Sequence, residues 1–291
     1  MTTPDLLVES VTSSIASPVV PPESPPLRAP ASAARVPAEP PPRPHWMGVH
    51  RIDLETCGST NDEAARLARA GARHGTVVTA ATQTSGRGRA GRTWVSPPGG
   101  NLYVSMILRP ALPLRDVPAM TLAIGVAVCE VAKIFGAAAT LKWPNDVLIG
   151  GRKVAGVLLE SQSRSERLDV VIAGIGINLS TLPDAETAPH ATSLSEAIGA
   201  PIDRELFLRH LLHSAEHWVD RYVACGLPGV IPAWHSHMDP NVAAQAQIDG
   251  ELVVGKLEGL DPAGALLLRD PSGVVHRVIA GEVETLRAAA T

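Results

Sequence analysis

Aromatic side chains are scarce in this chain, with five Trp, two Tyr and two Phe among 291 residues. Ala, Val and Leu must therefore fill most of any core, and binding of nucleic acid by stacking bases on aromatic platforms has little to work with. Cysteine is as sparse. Cys57, Cys129 and Cys225 are odd in number and far apart, with no C-x-x-C and no Cys/His ligand spacing. That argues against a disulfide framework and indicates no zinc site. No basic residue precedes Arg28 and no clean apolar segment follows it, so the N-terminus does not read as a secretory signal. No stretch is expected to reach the ~18 apolar residues of a membrane span. These absences together predict a cytoplasmic chain with no membrane partner.

Acidic residues are missing from one long interval. The chain is slightly acidic overall, with formal net charge −4, yet no Asp or Glu lies between Ala64 and Arg115. Arg66, Arg69, Arg73, Arg87, Arg89, Arg92, Arg109 and Arg115 all fall inside it. At its centre, residues 86–94 read GRGRAGRTW. Glycine lets backbone N–H groups approach an anion closely, and arginine forks match phosphate or carboxylate oxygens in pairs. A loop of like charges without an internal counter-ion repels itself and is expected to stay mobile until an anion arrives. A solvated basic loop or an RNA-binding segment is the plainer reading of these residues alone.

Residues 1–45 hold 12 of the 26 prolines, mixed with Ser and Ala, and read as a disordered or polyproline-like tail. They carry no pair of amphipathic helices and hence no helix-turn-helix. Ordered sequence is expected from Trp46. A strand around Ile52 and Leu54 precedes a helix from Ser59 to Gly71, with Thr60 and Glu63 at capping-box spacing. Strands are expected over 76–82, 102–108, 140–149, 153–160 and 170–179, with Gly150-Gly151 as a hairpin turn. An apolar helix spans 118–135. The clearest helix runs over 203–225, where Leu208, Leu211, Leu212, Ala215, Trp218, Val219 and Tyr222 recur at three- and four-residue spacing. From about residue 240, short strands between Gly- and Pro-rich turns predict a small β-barrel. Strands and helices intermix without βαβ alternation, so the expected class is α+β, with 46–238 as the main domain and 239–291 as the small one.

Several motifs stand out. In Lys142-Trp143-Pro144-Asn145-Asp146, proline cannot donate to a strand ladder and marks an edge or bulge. Three polar ends meet there, with Asp146 placed to reach a metal–phosphate complex; a turn with a local ion pair is the plainer reading. Lys153 follows across the hairpin, where it can come near Asp146. Gly174-Ile175-Gly176-Ile177-Asn178 lacks the third glycine and helix of a dinucleotide fingerprint. Close backbone packing explains its glycines, and Asn178 is available to a ligand. The arginine loop lacks the G-K-[ST] ending of a P-loop. His235 and His237, two apart, point to different faces of a helix and read as structural.

Taken in order, Ser59-Thr60-Asn61, residues 83–94, residues 142–146, Lys153-Val154-Ala155-Gly156 and residues 174–178 resemble the bacterial biotin–protein ligases, and five segments in register make the resemblance specific. It covers roughly residues 46–288 and implies a mixed central sheet flanked by helices, followed by an SH3-like β-barrel. It also implies a reaction in two steps. Biotin and MgATP give biotinyl-5′-AMP and pyrophosphate, and a lysine of a biotin carboxyl carrier domain of a biotin-dependent carboxylase is then acylated. Under that resemblance, Ser59, Thr60, Asn61, Gln83, Gly86, Arg87, Gly88, Arg89, Lys153 and Gly156 surround biotin, with Arg89 and Lys153 catalytic. Arg92, Trp94, Lys142, Asn145, Asp146 and Asn178 fall to the ATP side, Asp146 being the candidate contact for Mg²⁺. No metal-ligand motif is present, and no general base stands out for the transfer step.

Ala90 departs from the resemblance, since the family often carries a basic or larger residue there. The tail over 1–45 departs from the family's repressors, so the expectation is a ligase-only chain that does not bind nucleic acid. Monomer and homodimer both remain open. A lipoate–protein ligase, with related fold and chemistry, is the nearest rival; the arginine loop and residues 142–146 favour biotin. A nucleic-acid binder using 64–115 fits poorly with a sequence pI of about 6.2. A catalytically silent biotin sensor is disfavoured because Lys153 and the arginines are all present.

Overall fold

The computed structural model describes residues 41–42, 44–164, 166–239, 242–248, 250–279 and 283–286. The tail expected over 1–45 lies almost wholly outside the described residues. The main sheet has seven strands: β1 (Arg51–Cys57), β2 (Val77–Gln83), β3 (Leu102–Leu108), β4 (Ala139–Lys142), β5 (Asp146–Ile149), β6 (Arg152–Arg164) and β7 (Arg167–Ile177). Their order is β1-β2-β3-β7-β6-β5-β4, with β1 parallel to β2 and every other neighbour antiparallel. The sheet is thus mixed, as the intermixed pattern of strands and helices predicts.

Among the described residues five α-helices accompany these strands: α1 (Thr60–Arg69), α2 (Met120–Ile134), α3 (Leu194–Ile198), α4 (Arg204–Cys225) and α5 (Ile231–His237). The apolar helix α2 and the amphipathic α4 pack together over one face of the sheet and fill the large core. The run Leu114–Ile134 is long and apolar enough to cross a membrane by length and composition, which corrects the expectation that no stretch would be. Most of it is buried inside this core. Helix α1 covers only part of the opposite face, where Ala64 and Ala68 meet Val78, Ile107, Val170 and Ile172.

Strand β7 shows how a site is left open. Side chains alternate along a strand, so Val171, Ala173, Ile175 and Ile177 enter the large core, while Val170 and Ile172 pack beneath α1. Next on the α1 side come Gly174 and Gly176, which have no side chains. In register beside Gly176 on β6 is Gly156. The result is a bare patch of sheet at the mouth of α1.

Residues 140–149, expected as one strand, form two. Pro144 lacks the N–H that a ladder needs, and the chain reverses through Trp143-Pro144-Asn145 between β4 and β5, with Trp143–Pro144 in the cis form. The Gly150-Gly151 turn forms as read, with φ of 56° and 73°, the left-handed pair a two-residue hairpin requires. Among the described residues the expected barrel is not closed but forms an antiparallel sheet consistent with a small SH3-like domain. It comprises β8 (Ala243–Ile248), β9 (Glu251–Leu260), β10 (Leu266–Arg269), β11 (Val275–Val278) and β12 (Val283–Leu286). The order β11-β10-β9-β8-β12 leaves β11 and β12 as edges. Trp143 Nε1 donates to Gly264 O at 3.1 Å, and Leu260 N donates to His235 Nε2 at 2.7 Å, tying this sheet to the β4–β5 turn and to α5.

Candidate active site

A cavity of about 140 Å³ lies on the bare patch, walled by the start of α1, the end of β2, the arginine loop and the β5–β6 hairpin. The glycines create it by omission. A Cβ on Gly174 would sit 2.1 Å from Asn61 Oδ1, and one on Gly176 would sit 2.4 Å from the Trp94 ring. No real side chain fits at such distances, so glycine at these two positions lets Asn61 and Trp94 lie flat against the sheet.

The α1 end of the cavity is polar and neutral. Gln83 Oε1 accepts from Thr60 N at 2.8 Å and from Thr60 Oγ1 at 3.1 Å, and Gln83 Nε2 donates to Ser96 Oγ at 2.8 Å. Ser105 Oγ lies 2.8 Å from Thr60 Oγ1 and 2.6 Å from Asn61 Oδ1. Ser59, Thr60 and Asn61 are all buried. The expected capping box is absent: Ser59 occupies the cap position, and its side chain makes no capping bond. The Thr60 hydroxyl turns toward Gln83 and Ser105 instead, because tertiary partners outcompete the local turn.

The arginine loop is folded. Arg87 bridges Thr93, Gly88 N donates to Arg92 O at 2.7 Å, and Trp94 N donates to Gly86 O at 2.9 Å. Ala90 takes the left-handed conformation at φ 54°, which costs a residue with a Cβ about 1–2 kcal/mol. The expectation that the loop lacks counter-ions is corrected for Arg87, whose partners arrive from distant elements. Arg87 donates to Asp62 Oδ2 at 2.6 Å and to both Glu160 oxygens, at 3.0 and 2.9 Å. The bond to Asp62 does most to raise the guanidinium further above its ordinary value; partial burial opposes it and Glu160 reinforces it.

The other end is cationic. Lys153 Nζ pairs with Asp146 Oδ1 at 2.6 Å and stands 5.2 Å from the Trp94 ring centroid. The lysine's backbone is held from both sides, with Lys153 N donating to His190 O at 2.7 Å and Lys153 O accepting from Thr192 N at 2.9 Å. Arg89 donates to Asn145 Oδ1 at 3.2 Å, and Asn145 Nδ2 donates to Val157 O at 2.9 Å. Trp94 Nε1 is buried without a protein acceptor among the described residues, a donor that a ligand can satisfy.

Of the residues singled out in the sequence, Ser59, Thr60, Asn61, Gln83, Arg87, Gly88, Arg89, Arg92, Trp94, Asn145, Asp146, Lys153 and Gly156 line this one cavity. Three do not. Gly86 closes the loop from behind through its bond with Trp94. Lys142 stands opposite Asp146 in register at the end of β4. Asn178 is buried past the end of β7, where its side chain donates to Thr192 O at 3.2 Å. The sequence reading missed Ser105, Ser96 and Glu160, which stand behind the first layer. Gly174 and Gly176, expected as close backbone packing, are the cavity floor; their spacing of two puts them on one face of a strand, the signal that marks it.

Residues 56–178 match the biotin/lipoate A/B protein ligase family, and residues 241–285 match the biotin protein ligase C terminal domain. The chain is 37% identical over 245 residues to the bifunctional ligase/repressor BirA of Bacillus subtilis (strain 168), spanning 82% of this chain and 74% of that protein. It is also 37% identical over 236 residues to the biotin--[acetyl-CoA-carboxylase] ligase of Paracoccus denitrificans, spanning 76% of this chain and 94% of that one. Among solved structures, the biotin protein ligase from Aquifex aeolicus in complex with biotin and ATP superposes with a TM-score of 0.70 at 31% identity, over 82% of this chain and 100% of that one. The chain belongs to the biotin protein ligases.

Proposed function

We infer that this chain activates biotin with ATP and transfers it to a lysine of a carboxylase's carrier domain. The observation that carries this is the polarity of the cavity. One end offers neutral hydrogen-bonding groups from Thr60, Asn61 and Gln83, and the other holds Lys153 beside Asp146 and Arg89 beside Asn145, with Arg92 also on the lining. A neutral ureido head and an anionic tail meeting a phosphate require that polarity.

In the first step a biotin carboxylate oxygen attacks the α-phosphorus, and the bond to pyrophosphate breaks. Both reactants are anions, so Arg89 and Lys153 act by lowering their repulsion and holding them in line. For Lys153 to reach the ligand it must share or leave Asp146. Among the described residues lining the cavity Asp146 is the one carboxylate, and it would be the residue to hold a magnesium ion. That ion would supply charge neutralisation at the phosphates. In the second step the neutral carrier amine attacks the acyl carbon and AMP leaves, while the folded arginine loop keeps water from the mixed anhydride.

From the proline-rich sequence of residues 1–45 we propose that the ligase acts without DNA, and we place it in the cytoplasm. Residues 46–238 would carry the chemistry and 239–291 would help seat the carrier. ATP–pyrophosphate exchange with biotin, with lipoate and with neither tests the core of this reading. Biotin-dependent exchange is expected; lipoate-dependent exchange, or none, would overturn it.

A further inference from the structure

Two arginines of the loop face partners of different charge. Arg89 donates to Asn145 Oδ1, a neutral oxygen that leaves its positive charge for an anion. Arg87 gives one bond to Asp62 and two to Glu160, so two carboxylates outweigh its single charge. Asp62 stands in the first turn of α1 and Glu160 on β6, and neither lines the cavity. The Arg87 guanidinium therefore ties the loop to two separate elements at the neutral end of the site. Glu160 also accepts from Asn61 Nδ2 at 2.7 Å, which joins the loop to the cavity wall. The loop has reasons to open without such ties. Residues 86–94 carry three arginines and no carboxylate, and like charges so close repel. Ala90 holds φ at 54°, a conformation that a Cβ disfavours. The bonds from Gly88 N to Arg92 O and from Trp94 N to Gly86 O close the loop on itself but do not reach α1 or β6.

We propose that Asp62 and Glu160 are positioning residues: through Arg87 they fasten the arginine loop over the neutral end of the cavity, and Arg89 is left to meet the anion. This deepens the proposed function and rests on it for what the cavity binds. The two arginines divide the work, Arg87 holding the loop and Arg89 lowering charge repulsion. Because the fastening contacts are the protein's own, they reduce the ordering that a ligand must impose on the loop, and that ordering would otherwise weaken binding. Loss of a carboxylate should therefore appear in loop opening and in affinity, and leave the chemical step alone.

Asp62→Asn is the direct test, since the side chain is 57% exposed and its replacement leaves the core untouched. In protein without ligand, trypsin cleavage after Arg89 and Arg92 should quicken about 3–10-fold, the scale for one exposed charge-linked bond. In biotin-dependent ATP–pyrophosphate exchange, KM for biotin should rise by a similar factor. KM for ATP and kcat at saturating biotin should stay within about twofold, the split that marks a loss of binding rather than of chemistry. Asp62→Glu keeps the carboxylate and should stay within about twofold in both measurements. In a chain carrying Arg87→Gln, adding Asp62→Asn should change cleavage and KM by less than about twofold, because the partner is already gone. A general effect of the acid on the N-terminus of α1 would persist in that background. Unchanged cleavage and biotin KM in Asp62→Asn, or an effect that survives Arg87→Gln, overturns the positioning role. Absence of biotin-dependent exchange in the unaltered protein would instead sink the proposed function, and cleavage alone would then decide whether Asp62 fastens the loop.

Discussion

Lys153 illustrates how one side chain depends on the residues around it. Its ammonium is placed by a paired carboxylate, a tryptophan face and a backbone clamped on both sides. Lys153→Ala and Arg89→Ala should each lower adenylate formation by ~10²–10³, the scale for losing one preorganised stabilising charge. Single-turnover adenylation with both substrates saturating is the measurement, and near-normal rates in both variants would remove their assigned roles. Gly176→Ala probes the floor. A Cβ there would overlap the Trp94 ring at 2.4 Å, so the ring must leave the sheet. Adenylation should fall at least about tenfold, while melting shifts by no more than the ~1–3 kcal/mol of an overpacked site. A wild-type rate in Gly176→Ala would show that Trp94 need not lie flat.

Among the elements, α4 is built from local rules and α1 is not. Asp203 caps α4 by accepting from Glu205 N and Leu206 N, both at 2.9 Å. Asp203→Ala should therefore cost about 1 kcal/mol in thermal unfolding, with exchange activity unchanged. At α1 the sequence offered Thr60 and Glu63 as a capping box, but the Thr60 hydroxyl is taken by Gln83 and Ser105, residues 23 and 45 positions away. No local pattern contains that information. The β4–β5 hairpin falls between the two cases. Pro144 announced a break in the strand, while the pairing of Lys142 with Asp146 across the turn came only from the register.

At the scale of the molecule, long-range contacts hold the ends of the described chain in place. Glu216 on α4 accepts from the backbone N–H groups of His45, Trp46 and Met47, at 2.7, 2.7 and 2.8 Å. Burial pushes its carboxyl up, but the bonds from Met47, Trp46 and His45 outweigh it and hold the group below its ordinary value. The bonds therefore add stability above the unfolded carboxyl value of about 4.3 and lose it as pH falls through the lower folded value. Melting temperature followed downward from pH 6 should drop below about pH 4.3, and Glu216→Gln should flatten that drop. An equally steep drop in the variant would place the acid sensitivity elsewhere. At the other end, Trp143→Phe removes the bond to Gly264 O and should cost about 1 kcal/mol, read as earlier melting of the C-terminal sheet.

The sequence by itself determined the class of the protein and most of its chemistry. The arginine–glycine loop, the proline-interrupted segment before Asp146 and the lysine seven positions beyond it are contiguous or nearly so, and each residue type limits what it can bind. Helix α4 and the Gly150-Gly151 turn were equally legible, because periodicity and left-handed φ preferences are local. Only the tertiary structure decided that Arg87 is neutralised by Asp62 and Glu160, that Gly174 and Gly176 are a floor, and that Asn178 and Lys142 stand outside the cavity. It also decided that the small domain, among its described residues, is not closed into a barrel. The physical reason is common to all four. Pairing, register and side-chain direction across a sheet bring together residues tens of positions apart, and those contacts leave no trace in the order of neighbours along the chain.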